Sequence, residues 1–193
     1  MEPTPEMAIT ALKNQIAKTQ RSLNEMGYDP ASTRKQVAEW AQRYGGTALD
    51  VGTGACACMA VELAHRGMSV TAVDHDSSAV RLAEERASGI LSDKLEIRHA
   101  EANRLPFADG SYRVVTAFDA LCHANEPGAV VAEIFRVSSQ AIIITELNTA
   151  GREITRHHNG GFHEKLPGLL SRHCANCRRF DHTHHVTYVC EKK

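Results

Sequence analysis

The sequence predicts an α/β fold in which a mostly parallel sheet carries helices on both faces. Strand-like runs alternate with segments of helical period from Ala48 onward, and parallel strands need such crossovers between them. A glycine-rich turn, Gly52-Thr53-Gly54, joins the first of these strands to a helix. The run Ala141-Ile142-Ile143-Ile144-Thr145 is apolar almost throughout, as befits a strand covered on both faces.

Taken in order, apolar residues recur at helical spacing from about Met7 to Met26 (Ile9, Leu12, Ile16, Leu23). Gly27-Tyr28-Asp29-Pro30 interrupts, and a second helix runs to about Tyr44. Ala48 to Val51 reads as the first strand, and a helix through Met59, Val61 and Leu63 follows the glycine turn and stops at Gly67. Ser69 to Asp74 is the second strand, Ser77 to about Ala87 a helix and Leu95 to His99 the third strand. Tyr112 to Phe118 is the fourth, Gly128 to Val137 a helix, and the isoleucine run the fifth. A short helix around Leu166 to Arg172 and two β-like pieces, Arg178 to His182 and His185 to Cys190, follow a Gly- and His-rich stretch.

The 193 residues suffice for one substantial core and only marginally for two domains. With 42% hydrophobic and 23% charged residues the balance is that of a globular protein, and no apolar run approaches the roughly 20 residues that span a bilayer. Met1 to Glu6 has no basic segment followed by an apolar one, so the cytoplasm is the expected compartment. A net charge of -1 argues against a general affinity for nucleic acid. Without a secretory signal, the six cysteines are expected to be reduced thiols or metal ligands.

Open parallel sheets bind ligands at the carboxyl ends of their strands, and Gly52 and Gly54 allow a ligand to approach the backbone closely. Asp74 ends the second strand, where a carboxylate accepts both hydroxyls of a ribose, so the ligand reads as a nucleoside. Gly52-Thr53-Gly54-Ala55-Cys56-Ala57 also satisfies a dinucleotide fingerprint, which would make the cofactor NAD. Asp50 weighs against that reading: an acid there repels a pyrophosphate and attracts a cofactor that carries an ammonium and a sulfonium.

Leu49-Asp50-Val51-Gly52-Thr53-Gly54 resembles the first motif of the class I S-adenosylmethionine-dependent methyltransferases, and Val70-Thr71-Ala72-Val73-Asp74 resembles their second. Leu105-Pro106-Phe107-Ala108-Asp109-Gly110-Ser111-Tyr112 and Glu133-Ile134-Phe135-Arg136-Val137 are similar to two further stretches of that family, in the expected order, within residues from roughly 45 to 147. The flavour is that of the type 11 group, which includes the ubiquinone and menaquinone biosynthesis methyltransferases. The resemblance implies a Rossmann-like, mostly parallel seven-stranded sheet whose last strand is antiparallel. Residues 1–44 would be a helical cap or lid and 45–193 the cofactor-binding domain. It further implies transfer of a methyl group from S-adenosylmethionine to a small-molecule acceptor by in-line displacement, by a monomer or homodimer.

By position, Asp50, Gly52, Thr53 and Gly54 would line the methionine moiety, Asp74 would bind the ribose and His75 would lie against the adenine. Glu101 and Ala102 fall near the adenine amino group, while Phe118 and Asp119 would border the sulfur. The sequence departs from the family at Cys56, where many members have a third glycine, at Arg113, and at Ser138-Ser139-Gln140.

His123, just after the fourth strand, is the expected general base where an acceptor must lose a proton, because histidine titrates near neutrality. Glu146, at the end of the fifth strand, faces the same side, and Tyr28, Trp40, Phe162 and His157-His158 are candidate pocket walls, with Trp40 also at helical core spacing. Cys174, Cys177, His182 and His184, with His173 and His185 nearby, have the ligand types of a zinc or other thiophilic metal site, although not the spacing of a standard finger. A non-catalytic domain that binds S-adenosylmethionine or a metal as a sensor would show the same sheet motifs.

Overall fold

The computed structural model describes residues 5–88, 93–156, 162–174 and 176–192. Two helices, α1 (Pro5–Glu25) and α2 (Pro30–Gln42), precede β1 (Thr47–Val51), α3 (Cys58–His65), β2 (Ser69–Asp74), α4 (Ser77–Ala87) and β3 (Leu95–His99). There follow β4 (Tyr112–Phe118), a single 3-10 turn at Leu121–His123, α5 (Pro127–Val137), β5 (Ser138–Leu147), α6 (Thr149–Thr155), α7 (Phe162–Leu170), β6 (Cys177–Asp181) and β7 (His185–Glu191). The sheet order is β3-β2-β1-β4-β5-β7-β6, with β1 to β5 parallel and β7 antiparallel to both its neighbours, as expected.

The starts of α2 and α4 follow from side-chain caps. Asp29 accepts from the Ala31 N–H at 2.9 Å with Pro30 at the first position of α2, and Asp76 accepts from the Ser78 N–H at 2.8 Å to start α4. Helix α6 was not expected, since Thr149-Ala150-Gly151-Arg152 has no apolar period. It forms because Asn148 caps the Gly151 N–H at 2.9 Å while its own Nδ2 reaches the His182 carbonyl at 2.9 Å. Gly151 is required there, because a Cβ would stand 2.1 Å from the His184 carbonyl oxygen.

Alternation along each strand divides the core between the two faces. Leu49, Val115, Ile142 and Ile144 pack with α5 and α7, whereas Ala48, Val114 and Ile143 pack with α2 and α3. Helix α2 therefore belongs to the sheet's own core: Val37, Ala38 and Ala41 are fully buried. The side chains of Ile9, Leu12 and Ile16 in α1 lie outside the described residues. Arg136 in α5 shows why two family-like stretches occur together. It donates to both Glu133 oxygens (2.8 and 2.7 Å) and to the carbonyls of Phe107 (2.7 Å) and Leu105 (3.0 Å), while Glu133 accepts the Leu105 N–H at 2.8 Å. The pair ties the loop that precedes β4 to α5.

Candidate functional site

The glycine turn is fastened to the end of β2. The Gly52 and Thr53 N–H groups donate to the Val73 carbonyl at 2.9 and 3.0 Å, and the Gly54 N–H donates to Asp74 Oδ2 at 2.8 Å. Gly52 has φ +75 and its missing Cβ would fall 2.4 Å from Ala120 Cβ, so no other residue fits. Gly54, at φ +63, has nothing within 4 Å of its Cβ position and leaves room against the turn.

Two carboxylates face this space. Asp50 on β1 is 1% exposed: Thr116 Oγ1 donates to Oδ1 at 2.8 Å, while among the described residues Oδ2 has no partner of standard geometry. Burial pushes its carboxyl up to about 6, with the Thr116 hydroxyl opposing. Asp74 accepts one backbone N–H on each oxygen, from Gly54 and from Asp76 at 3.0 Å, which leaves each oxygen a second lone pair.

A cavity of about 510 Å³ opens over the turn. Asp50, Gly52, Thr53, Gly54, Asp74, His75, Phe118 and Asp119 all line it, and a smaller cavity of about 130 Å³ beyond His75 is lined by Glu101 and Ala102. His123, on the 3-10 turn, lines both. The structure thus gathers the residues singled out for cofactor and catalysis around two adjoining cavities at the carboxyl ends of β1, β2, β3 and β4. Gln20 of α1, Arg34 of α2, Cys56 and Cys58 line the larger cavity as well, and no short-range signal pointed to the first two. Arg34 stands 5.7 Å over the Phe118 ring.

Behind Phe118 lies a buried polar cluster that sequence reasoning did not assemble. Asp119 holds φ +52, an unusual value for a non-glycine residue, with its N–H on the Thr145 carbonyl at 2.8 Å. Its Oδ2 is 3.2 Å from His185 Nε2 and 3.5 Å from the Tyr28 hydroxyl, which is itself 3.1 Å from His185 Nε2. His185 is fully buried, and burial together with the Asp119 charge holds the Tyr28 hydroxyl well above its usual range. Glu146, also fully buried, accepts the Leu121 N–H at 2.9 Å and so anchors the turn that carries His123. Burial, reinforced by the Asp119 charge, pushes the Glu146 carboxyl up to about 8.

Other expectations are corrected. Trp40 packs in the core with its ring 4.4 Å from Phe180, and Phe162 is a buried core residue beside Leu166 rather than a pocket wall; His157-His158 lie outside the described residues. The C-terminal metal site does not form. Cys177 is joined to Cys190, its registered partner across β6 and β7, in a disulfide. Cys174 Sγ instead contacts the Glu191 carbonyl at 3.3 Å, His182 Nε2 pairs with Thr187 Oγ1 at 2.9 Å, and the His184 ring lies 5.5 Å from that of Tyr28. Among the described residues no three His, Cys, Asp or Glu side chains are grouped to hold a metal ion. The C-x-x-C spacing hid the cross-strand pairing because register is a tertiary property. Among the described residues, no helix is long and apolar enough to cross a membrane.

A family model described as a methyltransferase domain matches residues 49–143. Demethylmenaquinone methyltransferase of Clavibacter sepedonicus is 30% identical over 128 residues, 65% of this chain and 49% of that protein. A ubiquinone/menaquinone biosynthesis C-methyltransferase of Desulfotalea psychrophila is 30% identical over 112 residues, 58% of this chain and 45% of that protein. The chain spans about half the length of these curated relatives. Among solved structures, a candidate S-adenosyl-L-methionine-dependent methyltransferase from Methanococcus maripaludis superposes with a TM-score of 0.74 at 13% identity, over 100% of this chain and 96% of that one. Magnesium protoporphyrin IX methyltransferase from Synechocystis PCC 6803 with bound S-adenosylhomocysteine superposes with a TM-score of 0.66 at 17% identity, over 84% and 83%. At such identities these two likenesses speak for the fold alone.

Proposed function

We propose that this chain is a class I S-adenosylmethionine-dependent methyltransferase of type 11 that transfers a methyl group from S-adenosylmethionine to a small-molecule acceptor, a reading supported by the methyltransferase-domain match and the ubiquinone/menaquinone methyltransferase relatives. The observation that carries the reading is the pair of carboxylates, Asp50 and Asp74, facing one cavity across a turn left open at Gly54. The spare lone pairs of Asp74 suit the two hydroxyls of a ribose, and the unpartnered Oδ2 of Asp50 suits an ammonium. A pyrophosphate would meet two acids there, which disfavours a nicotinamide dinucleotide. Arg34, the cation over Phe118, is placed for a carboxylate, and the smaller cavity beside Glu101 and Ala102 for the adenine. A volume of about 510 Å³ shared by the methionine end and the acceptor favours a small molecule over a polymer.

The cofactor supplies a methyl carbon on a cationic sulfur, an electrophile with a good leaving group. The chain's part is then to position the acceptor and exclude water. Phe118 and Asp119 border the acceptor side. Asp119 is held at its strained backbone angle by β5 and oriented by Tyr28 and His185. His123 accepts the acceptor's proton where the nucleophile carries one, and Glu146 keeps its turn in place. Calorimetry with S-adenosylhomocysteine and with NADH tests the cofactor. Binding of NADH alone would overturn the reading. Formation of S-adenosylhomocysteine from S-adenosylmethionine in the presence of a metabolite extract separates an enzyme from a non-catalytic binder.

A further inference from the structure

The proposed methyl transfer makes no use of the two thiols in the cofactor turn. Cys56 and Cys58 both line the larger cavity, half-buried, and flank Ala57. Ala57 takes the left-handed conformation (φ 45) and starts α3 without a side-chain cap. The two free thiols stand two residues apart on the same cavity wall, and each perturbs the titration of the other. Arg34 lines the same cavity, and its charge and that of Arg86 in α4 favour the Cys56 thiolate.

We propose that Cys56 and Cys58 form an oxidisable dithiol that gates the methionine end of the cavity, a hydroperoxide acting as oxidant. The inference rests on the reading that this cavity takes S-adenosylmethionine. The Cys56 thiolate attacks the peroxide, the O–O bond breaks, and one oxygen stays on sulfur as a sulfenic acid while the other leaves as hydroxide. The Cys58 sulfur then attacks Cys56 sulfur, the S–O bond breaks, and with the thiol proton the oxygen leaves as water. For hydrogen peroxide the sum is two thiols and one peroxide giving one disulfide and two waters. Cys56 is suited to the first step, since hydrogen bonding with Cys58, with the two arginines assisting, pulls its thiol down to about 6. Cys58, held above the usual thiol range by the same interaction, is the resolving partner.

The link would tie the first residue of α3 to the turn and draw Cys56 away from its present place beside Gly54. The turn that holds Gly54 on Asp74 at 2.8 Å would then change shape, and cofactor affinity would fall. The disulfide between Cys177 and Cys190 lies on β6 and β7, and neither residue lines this cavity.

The test is to titrate the reduced protein with one to a few equivalents of hydrogen peroxide, map disulfides by peptide mass spectrometry, and measure S-adenosylhomocysteine binding by calorimetry before, after and following re-reduction. The expected result is a link between Cys56 and Cys58, an affinity about tenfold or more weaker, recovery on reduction, and no response to peroxide in the double variant Cys56→Ser, Cys58→Ser. Absence of that link, or a link with unchanged affinity, overturns the gate. If the reduced protein takes up no S-adenosylhomocysteine, the cofactor reading itself falls and the gate with it, a result that differs visibly from an affinity that peroxide leaves alone. The oxidation cycle on the unaltered chain decides the matter even where the double variant folds poorly.

Discussion

Replacing Glu146 by glutamine should remove a pH dependence of stability that the wild-type chain carries in its core. The carboxyl is fully buried and titrates at about 8 against an ordinary 4.5, first through desolvation and then through the nearby Asp119 charge. In the unfolded chain it ionises near 4.5, whereas in the folded chain it keeps its proton until about 8. The folded state therefore binds the extra proton, and stability falls as pH rises through this window. Below 4.5 both states are protonated and the group has no effect; between 4.5 and 8 stability is lost at up to about 1.4 kcal/mol per pH unit. The whole loss is at most about 5 kcal/mol, a large share of a typical domain's stability. The Glu146→Gln side chain would keep an oxygen for the Leu121 N–H and the same volume, without the charge. Urea unfolding at pH 5, 6, 7, 8 and 9 measures it. The two proteins should lie within about 1 kcal/mol at pH 5, and the variant should be the more stable by several kcal/mol at pH 8.5. A stability difference that stays constant from pH 5 to pH 8 would refute the buried, proton-holding carboxyl.

Asp74→Ala should weaken S-adenosylhomocysteine binding by about 1.5 to 3 kcal/mol for each ribose hydrogen bond lost, and unchanged affinity in calorimetry would remove Asp74 from the site. Arg136→Ala leaves the Leu105 and Phe107 carbonyls and Glu133 without their shared donor; a loss of about 1.5 to 3 kcal/mol in urea unfolding is expected, and a loss under about 0.5 kcal/mol would show the clamp to be ornamental. His123→Ala should lower turnover on the order of a hundredfold with cofactor affinity nearly intact, once an acceptor is in hand, and equal turnover would end its role as base.

The sheet was legible because each strand satisfies local rules at once: apolar alternation or burial, a glycine or acid at its end, and a helix of matching period after it. The strands from Ser69, Leu95 and Tyr112 have the expected limits, and the antiparallel last strand agrees with the family. Element ends that depend on tertiary contacts were not legible. Helix α6 exists because Asn148 meets the β6–β7 hairpin, and β5 starts at Ser138 rather than Ala141 because Tyr112 of β4 pairs with it there. The C-terminal cysteines misled for a related reason. Their spacing suggested a metal, while the register that sets Cys177 opposite Cys190 appears only when β6 and β7 are paired.

The two halves of the candidate site differ in the same way, and the difference follows from how each is built. The cofactor half is made of consecutive backbone: a turn whose shape demands glycine at φ +75, and an acid at the end of the neighbouring strand that receives its N–H. Such a turn leaves its mark in a short window of sequence, since its backbone shape alone selects the residues. The proposed acceptor side is lined by Arg34, Phe118 and Asp119, with Tyr28 and His185 packed behind Asp119, 157 residues apart in the chain. No short window contains that set: Tyr28 and Asp119 stood out singly, His185 only among the C-terminal histidines, and nothing local marked Arg34. A family that keeps its backbone site while exchanging side chains at this end can change acceptors without changing its motifs. On the proposed reading, the acceptor is to be sought through Arg34, Asp119 and the Tyr28–His185 pair behind it, rather than through the motifs that identify the fold.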